Sequence, residues 1–175
     1  MDNLKENKIL LTKKTVKKIP QKWIILKQYK GNFYTYKPSD FLSHFKICIT
    51  DTAFIEYTGE GPVANNFFDL IKVNDSTFKL KVAGINSKDR DFIIHIIDKK
   101  NGIAVFEQIS NVNEKIFYLM ISANKIRNLP IIVNYCETQK QSEFHFNKPD
   151  FEILLKKICK RASTKKKESN KSPVI

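Results

Sequence analysis

Between Trp23 and Cys136, short apolar or alternating segments follow one another, cut at fairly even intervals by Gly, Asn, Asp, Pro and Ser. A side-chain period of two sends successive residues to opposite faces, so such segments bury one face of a strand and make no helical stripe. Phe45, Ile47 and Ile49 alternate with Lys46, Cys48 and Thr50, and Phe78, Leu80 and Val82 alternate with Thr77, Lys79 and Lys81. The lysines of the second set are expected to face water. Strand-like segments that succeed one another without helices between them argue against a parallel α/β sheet, whose crossovers need a dozen residues or more. The economical arrangement is an antiparallel up-and-down meander. Closing it removes exposed edges, so the expected fold is mainly β, a closed barrel of about eight strands.

The expected strands are 23–29, 33–36, 45–50, 53–57, 67–73, 77–83, 92–97, 103–108, 117–122 and 131–136, with a short edge at 143–146. Residues 59–62, Gly-Glu-Gly-Pro, read as a loop. Asn74-Asp75-Ser76 joins the clearest hairpin, and the Asn101-Gly102 pair supplies the positive φ angles of a second. One amphipathic helix is expected at 148–161, capped by Asn147, with Pro149 and Asp150 in its first turn. Phe151, Leu154, Leu155 and Ile158 fall at i, i+3, i+4 and i+7 and form its apolar stripe.

A chain of 175 residues with 42% apolar residues, 13 Phe and 6 Tyr can bury a sizeable core in one domain. The net charge of +13 invites a nucleic-acid reading, but its placement decides the matter. Residues 1–22 hold seven lysines against Asp2 and Glu6, and residues 156–175 hold eight basic residues against Glu168, which leaves 23–155 at +1. The expected organisation is therefore a basic flexible arm at 1–20, a nearly neutral barrel domain at 21–161 and a disordered basic tail at 162–175. Lys165, Lys166 and Lys167 would attract anionic polymers or surfaces, but no aromatics are interleaved to stack bases, which argues against nucleic acid as a dedicated partner. Cys48, Cys136 and Cys159 lack the close pairing of metal or redox sites. With no apolar run long enough for a signal segment or a membrane span, the chain reads as cytoplasmic.

The stretch Ile19-Pro20-Gln21-Lys22-Trp23, the run of antiparallel strands after it and the amphipathic helix after the last strand resemble a lipocalin-like protein over residues 19 to about 161. The resemblance implies a barrel that carries a small apolar molecule, and an arginine packed over the Trp23 indole, for which Arg127 is the candidate.

No phosphate-cradling glycine loop, His-Glu-x-x-His, Cys-x-x-Cys or Gly-x-Ser-x-Gly occurs, so no motif points to catalysis, a metal or a cofactor. The expectation is a non-enzymatic protein that binds a small apolar ligand. Trp23, Tyr34, Tyr36, Phe45 and Phe54 are the candidate lining. His95 joins them, as a titratable group on an apolar strand whose Ile93 and Ile97 share its face. The alternative is a protein-interaction or structural β module whose core is filled.

Overall fold

The computed structural model describes residues 19–39, 44–68, 70–83, 89–134 and 142–156. The expected arm up to residue 18 and the tail at 162–175, including Lys165, Lys166 and Lys167, lie outside the described residues, as do Cys136 and Cys159. Among the described residues eleven strands form: β1 (Lys22–Tyr29), β2 (Asn32–Lys37), β3 (Lys46–Ile49), β4 (Phe54–Thr58), β5 (Gly61–Phe67), β6 (Ile71–Asn74), β7 (Thr77–Ala83), β8 (Arg90–Asp98), β9 (Ile103–Ile109), β10 (Lys115–Ser122) and β11 (Ile131–Val133). A 3₁₀ helix, Ala123–Asn128, follows β10, and an α-helix occupies residues 151–156.

Eight of these strands close into a barrel. β1, β3, β4, β5, β7, β8, β9 and β10 neighbour one another in chain order, each pair antiparallel, and β10 returns to β1. The closing seam is three residue pairs long: Trp23 opposite Ser122, Ile24 opposite Ile121, and Ile25 opposite Met120. The same stretch of β1 pairs with β3 on its other edge. From Leu26 onward β1 leaves the ring and pairs with β2 through the two-residue turn Lys30-Gly31, where both φ angles are positive (46° and 79°). This sign matches the right-handed twist of the flanking strands, and Gly31 adopts it without steric cost.

Two strands depart from a simple meander. Residues 59–62 are not all loop, because Gly61 and Pro62 begin β5 opposite Thr58 and Tyr57. The expected strand at 67–73 is the end of β5 together with β6, both paired to β7, and the β6–β7 register shifts between Lys72 and Asn74. β11 runs parallel to β2, unlike the rest of the sheet, because the 3₁₀ helix turns the chain back before Pro130. There the Pro130 carbonyl accepts hydrogen bonds from Thr35 N (3.0 Å) and Thr35 Oγ1 (3.3 Å). Residues 143–146 form no strand. Side chains anchor that segment, as Tyr36 Oη and Ser39 Oγ (2.9 Å) both donate to Glu143, and Asn147 N donates to Gln28 O at 2.9 Å.

The helix is capped by Asp150, not Asn147: Asp150 Oδ1 accepts from Ile153 N at 2.9 Å, so the helix begins at residue 151 and not 148. Asn147 Oδ1 instead accepts from Lys30 N at 2.8 Å, across the β1–β2 turn. The expected extension through Ile158 to 161 lies outside the described residues.

Alternation along the ring separates two cores. Trp23, Ile47, Ile49, Phe54, Phe67, Phe78, Leu80, Val82, Phe92, Ile94, Ala104, Phe106 and Met120 point inward and fill the middle of the barrel. Lys79 and Lys81 face water, as their alternation with Phe78, Leu80 and Val82 predicts. On the outer face Leu26, Ile103, Val105, Leu119 and Ile121 form a second cluster, covered by Leu154, Phe151 and Leu155 of the helix. Phe151 stacks on Phe117 with ring centroids 5.2 Å apart.

At the centre of the inner core, Phe106 is fully buried and meets the Trp23 indole edge-on at 5.2 Å. Phe106→Ala is expected to cost about 3–5 kcal/mol in urea unfolding and to shift the emission of the single tryptophan to the red. An unchanged unfolding midpoint would contradict this packing.

Candidate functional site

The two ends of the barrel differ in chemistry because the inward positions change character along each strand. At one end the inward side chains are Trp23 of β1, Phe78 of β7 and Ile96 of β8. The β6–β7 hairpin runs past this end, and Ile19 and Pro20 lie across it. Together they bound a cavity of about 490 Å³, open to solvent, with Lys72, Asp75, Lys99 and Gly102 at its rim. Trp23 Nε1 donates to Pro20 O at 2.7 Å, which fixes the indole and leaves only its ring surface facing the cavity. Lys72 Nζ stands 2.6 Å from Asp75 Oδ1 in an exposed pair. Gly102 has φ +67°, and an added Cβ would meet Lys125 Cγ at 2.9 Å, so the β8–β9 turn packs closely against the start of the 3₁₀ helix beside the rim. The Asn101-Gly102 pair thus contributes one positive φ angle, at Gly102, while Asp98 holds Asn101 through its backbone N (3.0 Å) and Nδ2 (2.8 Å).

At the other end the inward positions turn polar. Arg90 donates from Nη1 to Glu56 Oε1 at 3.0 Å and from Nη2 to Glu56 Oε2 at 2.7 Å, a two-pronged pair whose side chains are 18% and 11% exposed. Asn65 Nδ2 donates to Glu56 Oε2 at 3.2 Å, and Tyr118 Oη to Gln108 Oε1 at 3.3 Å. Phe45 stacks on Tyr118 at 4.9 Å. Burial raises the Tyr118 hydroxyl above its ordinary pKa, Glu56 adds to the rise and Arg90 opposes it. Arg90 Nε is buried and has no hydrogen-bond partner among the described residues.

The residues expected to line one site are therefore dispersed. Trp23 forms the cavity floor. Phe54 is fully buried against Phe92 at 4.7 Å in the filled middle, and Phe45 belongs to the polar end. Tyr34 and Tyr36 lie on β2, outside the ring, and Tyr36 packs on Phe146 at 4.8 Å. His95 points outward, because its pairing partners Thr77 and Val105 belong to the outer face. There its Nε2 lies 3.2 Å from Glu107 Oε2, while Lys115 Nζ lies 2.7 Å from Glu107 Oε1. Burial works to raise the Glu107 pKa, but the hydrogen bonds and charges of Lys115 and His95 outweigh it and hold the carboxyl below its usual range. Arg127 is exposed on the 3₁₀ helix, and Phe106 is the ring that meets the indole.

Phe78, Ile96, Ile19, Pro20, Lys72 and Lys99 are cavity residues that the sequence does not single out. The inward alternation of β7 marks Phe78, but the end of the barrel at which each residue sits depends on register. A second cleft, of about 420 Å³, lies where β1 and β10 part after Ile25, between Phe117 to Leu119 and the segment 144–149. Among the described residues no group of three or more His, Cys, Asp or Glu side chains is placed to hold a metal ion, and no helix is long and apolar enough to cross a membrane. Cys48 is a buried free thiol whose pKa burial raises, with Lys22 opposing.

The chain matches no protein-family model, no curated protein and no solved structure.

Removing one member of a largely desolvated charge pair strands the other. Arg90→Met is therefore expected to cost about 3 kcal/mol in urea unfolding, and adding Glu56→Met to restore part of that loss. A double variant no more stable than Arg90→Met would contradict the coupling.

Proposed function

We propose that the protein is a non-enzymatic binding protein, lipocalin-like in plan, that takes a small ligand with an apolar body into the cavity at the Trp23 end. The open cavity of about 490 Å³ carries this reading, since it falls within the roughly 300–1,000 Å³ range of small-molecule sites. Its floor is aromatic and aliphatic, formed by Trp23, Phe78 and Ile96 with Ile19 and Pro20 beside them. Burying an apolar ligand there removes it from water at roughly 25 cal/mol per Å² before the costs of association.

A protein-interaction role is the second reading, and β6 favours it. Among the described residues β6 pairs only with β7, and Ile71 and Val73 are 58% and 59% exposed. A strand with one open edge and exposed β-branched residues can extend a partner's sheet.

Trp23 is the only tryptophan, so energy transfer from it reports a fluorophore in the cavity. The neutral probe N-phenyl-1-naphthylamine is expected to bind with one-to-one stoichiometry and to be excited through Trp23. Ile96→Phe, which fills the cavity, is expected to weaken binding about tenfold or more while urea stability holds within about 1–3 kcal/mol. Absence of transfer in the unaltered protein, or binding that Ile96→Phe leaves unchanged, would overturn the reading.

A further inference from the structure

We infer that the ligand of the Trp23 cavity carries an acidic head, a carboxylate or a phosphate, held at the rim by Lys72 and Lys99. This rests on the binding reading and specifies the class of molecule. The side chains of the floor offer a polar group no free partner: Trp23 Nε1 is engaged by Pro20 O at 2.7 Å, and Phe78 and Ile96 offer only carbon. A ligand must therefore enter with its apolar end first and leave any polar end at the rim.

The rim is where charge is available. Lys72 of strand β6 and Lys99 of the β8–β9 turn reach it from separate elements, and the stem of Lys125 lies beside Gly102. Two carboxylates stand nearby. Asp75 pairs with Lys72, but its side chain is 93% exposed, so the pair is loosely held and an incoming anion can share the ammonium. Asp98 is turned toward Asn101 and holds the loop. No carboxylate among the described residues pairs with Lys99, which leaves its charge for a ligand. A basic head would meet two lysines at the rim and a single exposed aspartate. Below the floor the barrel is filled by Phe54, Phe67, Phe92 and Phe106, so the apolar part is compact or short and does not thread the barrel.

The test compares two probes that differ by one acidic group, 8-anilinonaphthalene-1-sulfonate and N-phenyl-1-naphthylamine, each read by transfer from Trp23 in the full chain. The sulfonate is expected to bind about tenfold tighter at low salt, an advantage that shrinks as salt is raised. In the Lys72→Gln, Lys99→Gln double variant the advantage is expected to vanish while the neutral probe binds as before. The basic terminal segments are the same in both proteins, so they cannot produce that difference. Displacement of the sulfonate probe by octanoate and by octyl phosphate, each at lower concentration than octanol, supports the inference, and the stronger of the two acids identifies the head. Equal binding of both probes, a double variant that changes neither, or displacement by octanol as effective as by either acid overturns the acidic head while leaving the binding reading intact. Failure of both probes to bind removes the binding reading itself.

Discussion

Three residue pairs between β1 and β10 turn a long sheet into a barrel, and the two cores and both barrel ends follow from that closure. An open sheet with these strands would leave one edge of β10 and one of β1 without partners, and its inner face, rich in Phe and Ile, would need a separate cover. Closure instead gives every ring strand two neighbours and assigns each side chain to inside or outside by parity alone. Trp23 lies on this seam, opposite Ser122 and beside Ile47 of β3, with Phe106 against its edge. The indole is thus both the packing element of the seam and the floor of the cavity.

The shortness of the seam has a second consequence. Because β1 joins the ring only through its first half, its second half is free to build the small β1–β2–β11 sheet, and the outer apolar face of β9 and β10 is left for the helix. The inner face is filled through its middle and ends differently on each side, in an ion pair with amide and phenol partners at one end and an open apolar cup with lysines at the other. A buried ion pair contributes little net stability compared with apolar packing of the same volume. Its placement nonetheless makes one mouth polar and occupied, while the other keeps a cavity with no polar group on its floor. The functional reading rests on this asymmetry and not on the net charge of the chain.

Much of the architecture is legible in the sequence because parity is local. The alternation of Phe78, Leu80 and Val82 with Lys79 and Lys81 assigns the faces of β7, and the spacing of Phe151, Leu154 and Leu155 assigns the covering face of the helix. Legibility stops where a long-range pairing decides the outcome. Gly61 and Pro62 carry turn chemistry but lie on a strand because Thr58 and Tyr57 pair with them. His95 sits on a half-apolar strand whose two faces look alike in sequence, and only its register against Val105 and Thr77 shows that it points outward. Tyr34 and Tyr36 resemble lining residues until β2 is seen to lie outside the ring. Asn147 and Asp150 are both good caps, and the choice between them is made by the β1–β2 turn, whose backbone claims Asn147. Of the candidate lining, Trp23 alone reaches the cavity, since membership depends on which end of the barrel a residue occupies.

The central claim is that the cup at the Trp23 end is where a small molecule binds. The most direct measurement is a two-dimensional amide NMR titration with N-phenyl-1-naphthylamine, assigned by residue. The account predicts that the largest shifts fall on the indole and amide of Trp23 and on the amides of Ile19, Phe78, Ile96 and Gly102, with little change at Glu56, Arg90 and Gln108. Shifts concentrated instead at residues 117–119 and 144–149, or spread evenly over the ring, would contradict it.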